Sequence, residues 1–354
     1  MAINLASKAS PKVVERFKVG SMTEGLFTND YEWSGVATVR VYSVDTLPLN
    51  DYDKTKVDGT SRFGALTEVG DTIQEMTVKD DKSFNGIIDK GNNTAQLQIK
   101  AASKILKRET DEVLIPYVDK YRLKVLANGA AQLTLNTTAL TKTTILDTIF
   151  KAGAAMSNRL VPLAGRVVYI GETLAVDLKL SDQVVGLEKA GQAAVVNGVC
   201  GTIGGMQVRI VPDVYLPAGV NFMIVKKGVA CAPKKIETFR VLENQYIVDG
   251  HIAQGRMLHD CFVLGSKADG IYVHAKSGAL TAPTITIASN QATIASPSSE
   301  TGTTIKYTLD GSDPKTSPTA ATYSDKVTVT AGAKVRAFAS KAGSLNSGIA
   351  EATA

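Results

Sequence analysis

From Ser103 to Asn128 the sequence takes up a helical period and holds it, and no other stretch constrains the fold as strongly. Leu106, Val113, Leu114, Val118, Tyr121 and Val125 recur at intervals that put apolar side chains on one helical face. Asn128-Gly129 then supplies a left-handed stop. At 1.5 Å per residue, about 25 residues reach roughly 38 Å, well beyond an average globular helix. A helix of that reach is a spine on which other elements must be mounted, and Val118, Tyr121 and Val125 are expected to pack it against a sheet. Pro116 falls inside the run and cannot donate to the carbonyl of Glu112, which predicts a kink or a split there.

The text on either side of the spine has other periods. "VATVRVYSV" (36–44) alternates β-branched residues, and strand character returns in "TIQEMTVKD" (72–80) and "SFNGIID" (83–89). Between them, Leu47 to about Val69 is polar and rich in Asp, Gly and Lys, so the flanks read as an extended hairpin whose long tip projects from the body. Asp51, Tyr52, Asp53, Lys54 and Arg62 lie in that tip, and a tip of this length without a core of its own is functional or disordered. Residues 1–35 form a polar arm carrying Lys8, Lys12, Arg16 and Lys18, with little to bury, so its order is expected to depend on a neighbour.

After the spine, Ile145, Ile149, Ala152 and Met156 mark one face of a helix at 144–158. "GRVVYIG" (165–171) reads as a buried strand, "TLAVDLKLS" (173–181) as a short helix, and short strands follow at 206–212, 221–228, 261–266 and 271–276. Mixed elements of this kind give an α+β body with antiparallel sheets. "SGALTAP" (277–283) is a small-residue linker, and residues 284–354 change style again. Apolar alternation at Ile305, Tyr307 and Leu309, and at Val327 and Val329, surrounds an Asp-Gly turn in the manner of a small β-sandwich with its own core. A Pro-containing linker commonly marks a boundary that few contacts cross, so the sandwich is expected to be independent and dispensable.

Composition removes several classes of function. Of 354 residues, 44% are hydrophobic and 21% charged, an ordinary balance for a chain that buries a core. The net charge of +5 permits a surface facing a polyanion without marking a dedicated nucleic-acid binder. No signal-peptide core opens the chain and no apolar run reaches about 18 residues, so neither export nor a membrane span is expected. The three cysteines, Cys200, Cys231 and Cys261, are odd in number and far apart, and read as buried free thiols in a reducing compartment.

Catalytic constellations are missing from the text. No Gly-rich stretch runs into Lys-Ser or Lys-Thr as a phosphate loop does, and "GTIGGM" (201–206) reads as a tight turn before a strand. His259 and Cys261 would share one face of a strand, which is half a metal site, but with His251 they match no common zinc spacing, and core packing or an interface accounts for them better. "LDGSDP" (309–314) lacks the acidic spacing of a calcium loop. "NNT" and "NTT" match glycosylation acceptors, which mean nothing without export. The expectation is a chain that is no enzyme, with no cofactor and no metal.

Read in order, segments of the first 276 residues resemble the major capsid proteins of tailed bacteriophages, of the Hong Kong ninety-seven fold type. "LNDYDKTKVDG" (49–59) looks like the tip of that family's extended loop and "KSFNGIIDKGNN" (82–93) like its returning strand. "VLIPYVDKYRLKVLANGA" (113–130) is similar to the spine signature, in which a Pro is followed by Asp-x-Tyr-Arg. "NRLVPLAGRVVYIGETLAVDLKLS" (158–181) resembles the entry into the axial domain, and 196–217 with 250–274 its closing part. The tail, through "TIKYTLDGSDP" (304–314), Tyr323 and "AKVRAFASKAGSLNSG" (333–348), resembles the immunoglobulin-like module at the C-terminus of chitobiases and β-hexosaminidases.

These resemblances imply an N-terminal arm (1–35), a shell domain (36–276) with extended loop at about 45–90, spine at about 104–128 and axial domain at about 140–235, a linker (277–283), and an immunoglobulin-like decoration domain (284–354). The implied function is mechanical: hexamers and pentamers close into an icosahedral virion head around double-stranded DNA, assembled in the host bacterial cytoplasm. A portal and a separate scaffolding protein are the implied partners, and no cross-link is assigned to Lys79, Lys82 or Asn85 near the loop. Lys8, Lys12, Arg16 and Lys18 either line the DNA or only keep the arm soluble. For the terminal domain, plain decoration or stabilisation stands ahead of weak glycan binding, because Tyr307, Tyr323 and Phe338 are its only aromatics and a core could use all three. Three rival readings carry forward: a nanocompartment shell of the same fold, a phage tail-tube protein with an immunoglobulin-like end, and a glycan-binding surface protein, which would need export.

Overall fold

The computed structural model describes residues 20–31, 33, 38–44, 47, 49–56, 61–64, 66, 68–95, 102–181, 199–243, 249–296 and 302–354. Its centre is a six-stranded mixed sheet in the order Gln132–Leu135, Ile271–Ala275, Val220–Lys226, Arg166–Gly171, Met206–Val211 and Val199–Ile203. Strand Arg166–Gly171 is buried along its whole length, as the apolar text of residues 167–170 requires of a strand covered on both faces. Successive side chains alternate between two cores. Val168, Ile170, Phe222 and Ile224 face helices Ile145–Asn158 and Glu172–Lys179, with Ile145, Ile149, Ala152 and Met156 opposite them. Val167, Tyr169, Met223 and Val225 face the other way, onto Leu123 and Leu126 of the spine.

The spine is continuous, with one irregularity where Pro116 predicts it. Helix Ala102–Glu109 passes through a π-helical turn, Thr110–Leu114, into helix Ile115–Gly129. The Ile115 amide donates to the Thr110 carbonyl, so the wider turn accommodates the proline in the first turn of the last segment. The inserted residue also rotates the helical phase. The buried face after the turn is Val118, Asp119, Arg122, Leu123, Leu126 and Ala127, while Tyr121 and Val125 sit half-buried on its flank. Val118 is buried, Tyr121 and Val125 are only half-buried, and it is Leu123 and Leu126 that enter the core shared with the central sheet.

Thr38–Val44 pairs antiparallel with Asp71–Thr77, from Thr38 opposite Thr77 to Val44 opposite Asp71, and forms the stem of the hairpin. The third predicted strand, Asp80–Asp89, leaves that hairpin for a second sheet, ordered Lys234–Glu243, Gly250–His259, Asp80–Asp89. In its middle strand Gly255 makes room for Phe84 and Phe239, stacked with centroids 6.2 Å apart. A Cβ at Gly255 would lie 2.2 Å from the Phe84 ring.

The terminal residues form two small sheets, Thr284–Ala288, Gln291–Ala295 and Val327–Thr328 against Ala321–Thr322, Thr304–Thr308, Lys334–Ser340 and Ala350–Thr353. Ala292, Ile294, Val329, Val335 and Ala337 form the sandwich core. The expectation that few contacts cross the linker is overturned. Phe338, Leu345 and Ile349 belong to the same core as Leu123, Leu126, Ala131 and Met223 of the body.

Candidate assembly surfaces

The spine signature Asp119-x-Tyr121-Arg122 becomes legible once its partners are seen. Asp119 is fully buried, and its carboxylate accepts from the Ser21 hydroxyl (2.9 Å), the Met22 amide (2.8 Å) and the Thr23 hydroxyl (2.6 Å). Arg122 donates to Thr23 Oγ1 at 3.1 Å and stacks its guanidinium over Phe27, 4.9 Å from the ring centroid. The Thr28 amide donates to the Ala230 carbonyl, and Leu26 is buried in the main core. Residues 20–28 are thus tied to the chain's own spine, which corrects the expectation that the whole arm depends on a neighbour. Lys8, Lys12, Arg16 and Lys18 lie outside the described residues. Asp119 and Arg122 were missed as site residues because charged side chains on the buried face break an apolar stripe.

Tyr121 donates to Asp260 Oδ1 at 2.6 Å, and Tyr117 to Asp80 Oδ2 at 2.9 Å. Burial, then the bond to Asp260, pushes the Tyr121 phenol well above its ordinary value. His259 lies edge-on to both rings, with Nε2 3.1 Å from Asp80 Oδ2. Burial pushes its pKa below the usual 6.5 despite Asp80 and Asp260, so the imidazole is neutral near pH 7. Its partner in the half-site reading, Cys261, is a buried free thiol whose pKa burial raises steeply. Among the described residues no three His, Cys, Asp or Glu side chains are placed to hold a metal ion. Among the described residues, a groove of about 820 Å³ between residues 21–33 and 231–235 is lined by one carboxylate, Glu24, and no histidine.

The hairpin tip is held by its own contacts. The Asp53 amide donates to the Arg62 carbonyl at 3.0 Å, Arg62 Nε donates to the Lys56 carbonyl at 2.8 Å, and Tyr52 meets Phe63 edge-on at 4.9 Å. Thr55 donates twice to the Asp53 carboxylate, lowering its pKa. Asp51, Lys54 and Arg62 are exposed, as their charge suggests. The tip is less polar than its sequence implied, however, because Leu49, Phe63 and Leu66 stand out at 101%, 77% and 98% exposure.

The described fold is the phage capsid fold with an added β-sandwich. The structure is similar to that of Mycobacterium phage Che8, with a TM-score of 0.63 and 20% identity, covering 78% of this chain and 99% of that one. It is similar also to the capsid structure of the cyanophage P-SCSP1u (TM-score 0.62, 16% identity, 76% and 92% covered). A third likeness is to the mature capsid of bacteriophage PhiM1 (TM-score 0.60, 12% identity, 77% and 92% covered). Residues 294–353 match the family described as Fn3 associated, in keeping with an immunoglobulin-like module. No curated protein matches the sequence.

Proposed function

We propose that this chain is a structural major capsid protein, which closes through hexamers and pentamers into the icosahedral head of a tailed bacteriophage around double-stranded DNA. The observation that carries the reading is the extended hairpin on a capsid fold, on which Leu49, Phe63 and Leu66 stay largely exposed within the described residues of their own chain, Phe63 meeting Tyr52 edge-on. A second copy beneath the hairpin would bury them, and repetition of one such contact makes a closed shell from individually weak interfaces. The tail-tube reading expected mostly β-structure and does not account for the helix from Ala102 to Gly129. The proposed division is arm 1–35, shell domain 36–276, linker 277–283 and terminal module 284–354.

In this reading the basic arm lines the packaged DNA, a portal and a separate scaffold join assembly in the host bacterial cytoplasm, and the module faces outward, where it does not compete with the genome for volume. Glycan attachment lacks a platform: Tyr307 and Tyr323 pack against the sandwich core and each other, and Phe338 is buried. Negative-stain imaging of the purified protein tests the proposal. Closed icosahedral shells support it, shells filled with a protein cargo favour the nanocompartment, and tubes or monomers under all assembly conditions refute it.

A further inference from the structure

The last carbonyls of an α-helix have no partner within it, and they form the negative end of its dipole. At the spine these groups meet the terminal module. Lys315 Nζ donates to the carbonyls of Asn128 (3.0 Å) and Ala130 (2.6 Å), just where the helix stops. The Asn346 amide donates to Asn128 Oδ1 at 3.2 Å, and the Ile349 amide to the Ala131 carbonyl at 2.8 Å. Beneath these bonds Phe338, Leu345 and Ile349 complete the core around Leu123 and Leu126. The ammonium also stands 5.5 Å from the Phe338 ring centroid.

The two surfaces fit sterically as well. A Cβ on Gly265 of the body would lie 2.4 Å from Thr316 Oγ1 and 3.1 Å from Asp313 Cβ. A Cβ on Gly348 of the module would lie 3.0 Å from the Leu133 amide. Neither glycine has a left-handed backbone, so each is small because the partner surface occupies its side-chain space.

We propose that the terminal module is a brace for the C-terminal end of the spine helix, an integral part of the subunit's fold with Lys315 as its polar anchor. A tethered ornament would leave the helix end to water and the linker as its only connection. Here the helix end, the strand Gln132–Leu135 that follows it and the module share one core and one set of hydrogen bonds. The inference concerns the single chain and stands whether or not that chain forms shells.

Cutting the linker in the full-length protein tests it without requiring any part to fold alone. A protease site inserted after Thr281 is cleaved in the purified, folded chain. The brace predicts that the two fragments co-elute in gel filtration and that the amides of Ala130, Ala131 and Ile349 exchange as slowly as in the uncut chain. It also predicts that Lys315→Glu weakens the association of the cut fragments at least tenfold. A module that elutes alone, with exchange at Ala130 and Ala131 unchanged, overturns the proposal. Co-elution that Lys315→Glu leaves unaltered overturns the role given to the helix end.

Discussion

Asp119 shows how much one side chain can decide. Three donors from residues 21–23 converge on a carboxylate with no exposure, and hydrogen bonds to a charged group are worth roughly 1.5–3 kcal/mol each when a partner is removed. Asp119→Asn presents an amide to donors that need an acceptor, and is expected to cost about 2–3 kcal/mol in denaturant melts. Gly255→Ala acts through volume, since a Cβ would press on the rings of Phe84 and Phe239; overpacking of this kind costs about 1–3 kcal/mol. Melting curves of that variant should show the loss with the fold retained. His259 sets a pH response. Burial holds its folded pKa below 6.5, so the unfolded chain takes up the proton first, with Arg122 and Lys234 opposing charge and Asp80 and Asp260 favouring it. Its contribution to stability is complete above pH 6.5 and is lost as the pH falls through the folded value. His259→Asn should flatten the fall in melting temperature on acidification over that window.

Among the elements, those whose reasons are local were legible. Helix Ile145–Asn158, the buried strand Arg166–Gly171 and the hairpin stem follow from period and turn chemistry. Strand Gly250–His259 did not, because Gly250, Gln254, Gly255 and Arg256 interrupt its apolar text; it forms because Asp80–Asp89 and Lys234–Glu243 flank it. The sequence stripe through Tyr121 and Val125 carried one phase across the break predicted at Pro116, and the π-helical turn at Thr110–Leu114 inserts a residue that rotates everything after it. Of the candidate site, the hairpin tip was legible as a projection, but its apolar character was hidden by the Asp and Lys residues around Leu49, Phe63 and Leu66. The spine's polar grip on residues 21–23 was invisible, since its halves lie nearly a hundred residues apart. Replacing Leu49 and Leu66 together by Ser should leave the melting temperature of the isolated subunit within a degree or two, because both are fully exposed already. The same protein should fail to close into shells under the electron microscope; normal shells would show that the tip is not a contact.

At the scale of the whole molecule, the central sheet is covered by helices on one face and by the spine and the terminal module on the other. Removing the module takes Phe338, Leu345 and Ile349 out of that second core, at about 1.5–3 kcal/mol for each buried side chain. The total, on the order of 5–9 kcal/mol, is comparable with the entire stability of an ordinary domain. A chain ending at Ser277 is therefore expected to be insoluble or to bind hydrophobic dyes strongly, measured by soluble yield and dye fluorescence, in place of the smooth-surfaced shell that an independent module would allow. The shared core also bears on inheritance. A tethered cassette can be gained, lost or exchanged by recombination at its linker without consequence for its host. Here Lys315 meets Asn128, Thr316 fills the space beside Gly265, and Leu133 lies against Gly348, so a crossover in the linker separates surfaces shaped to one another. On the brace proposed above, a foreign tail joined at Ser277 would have to bring its own matching lysine and its own gap for the helix end.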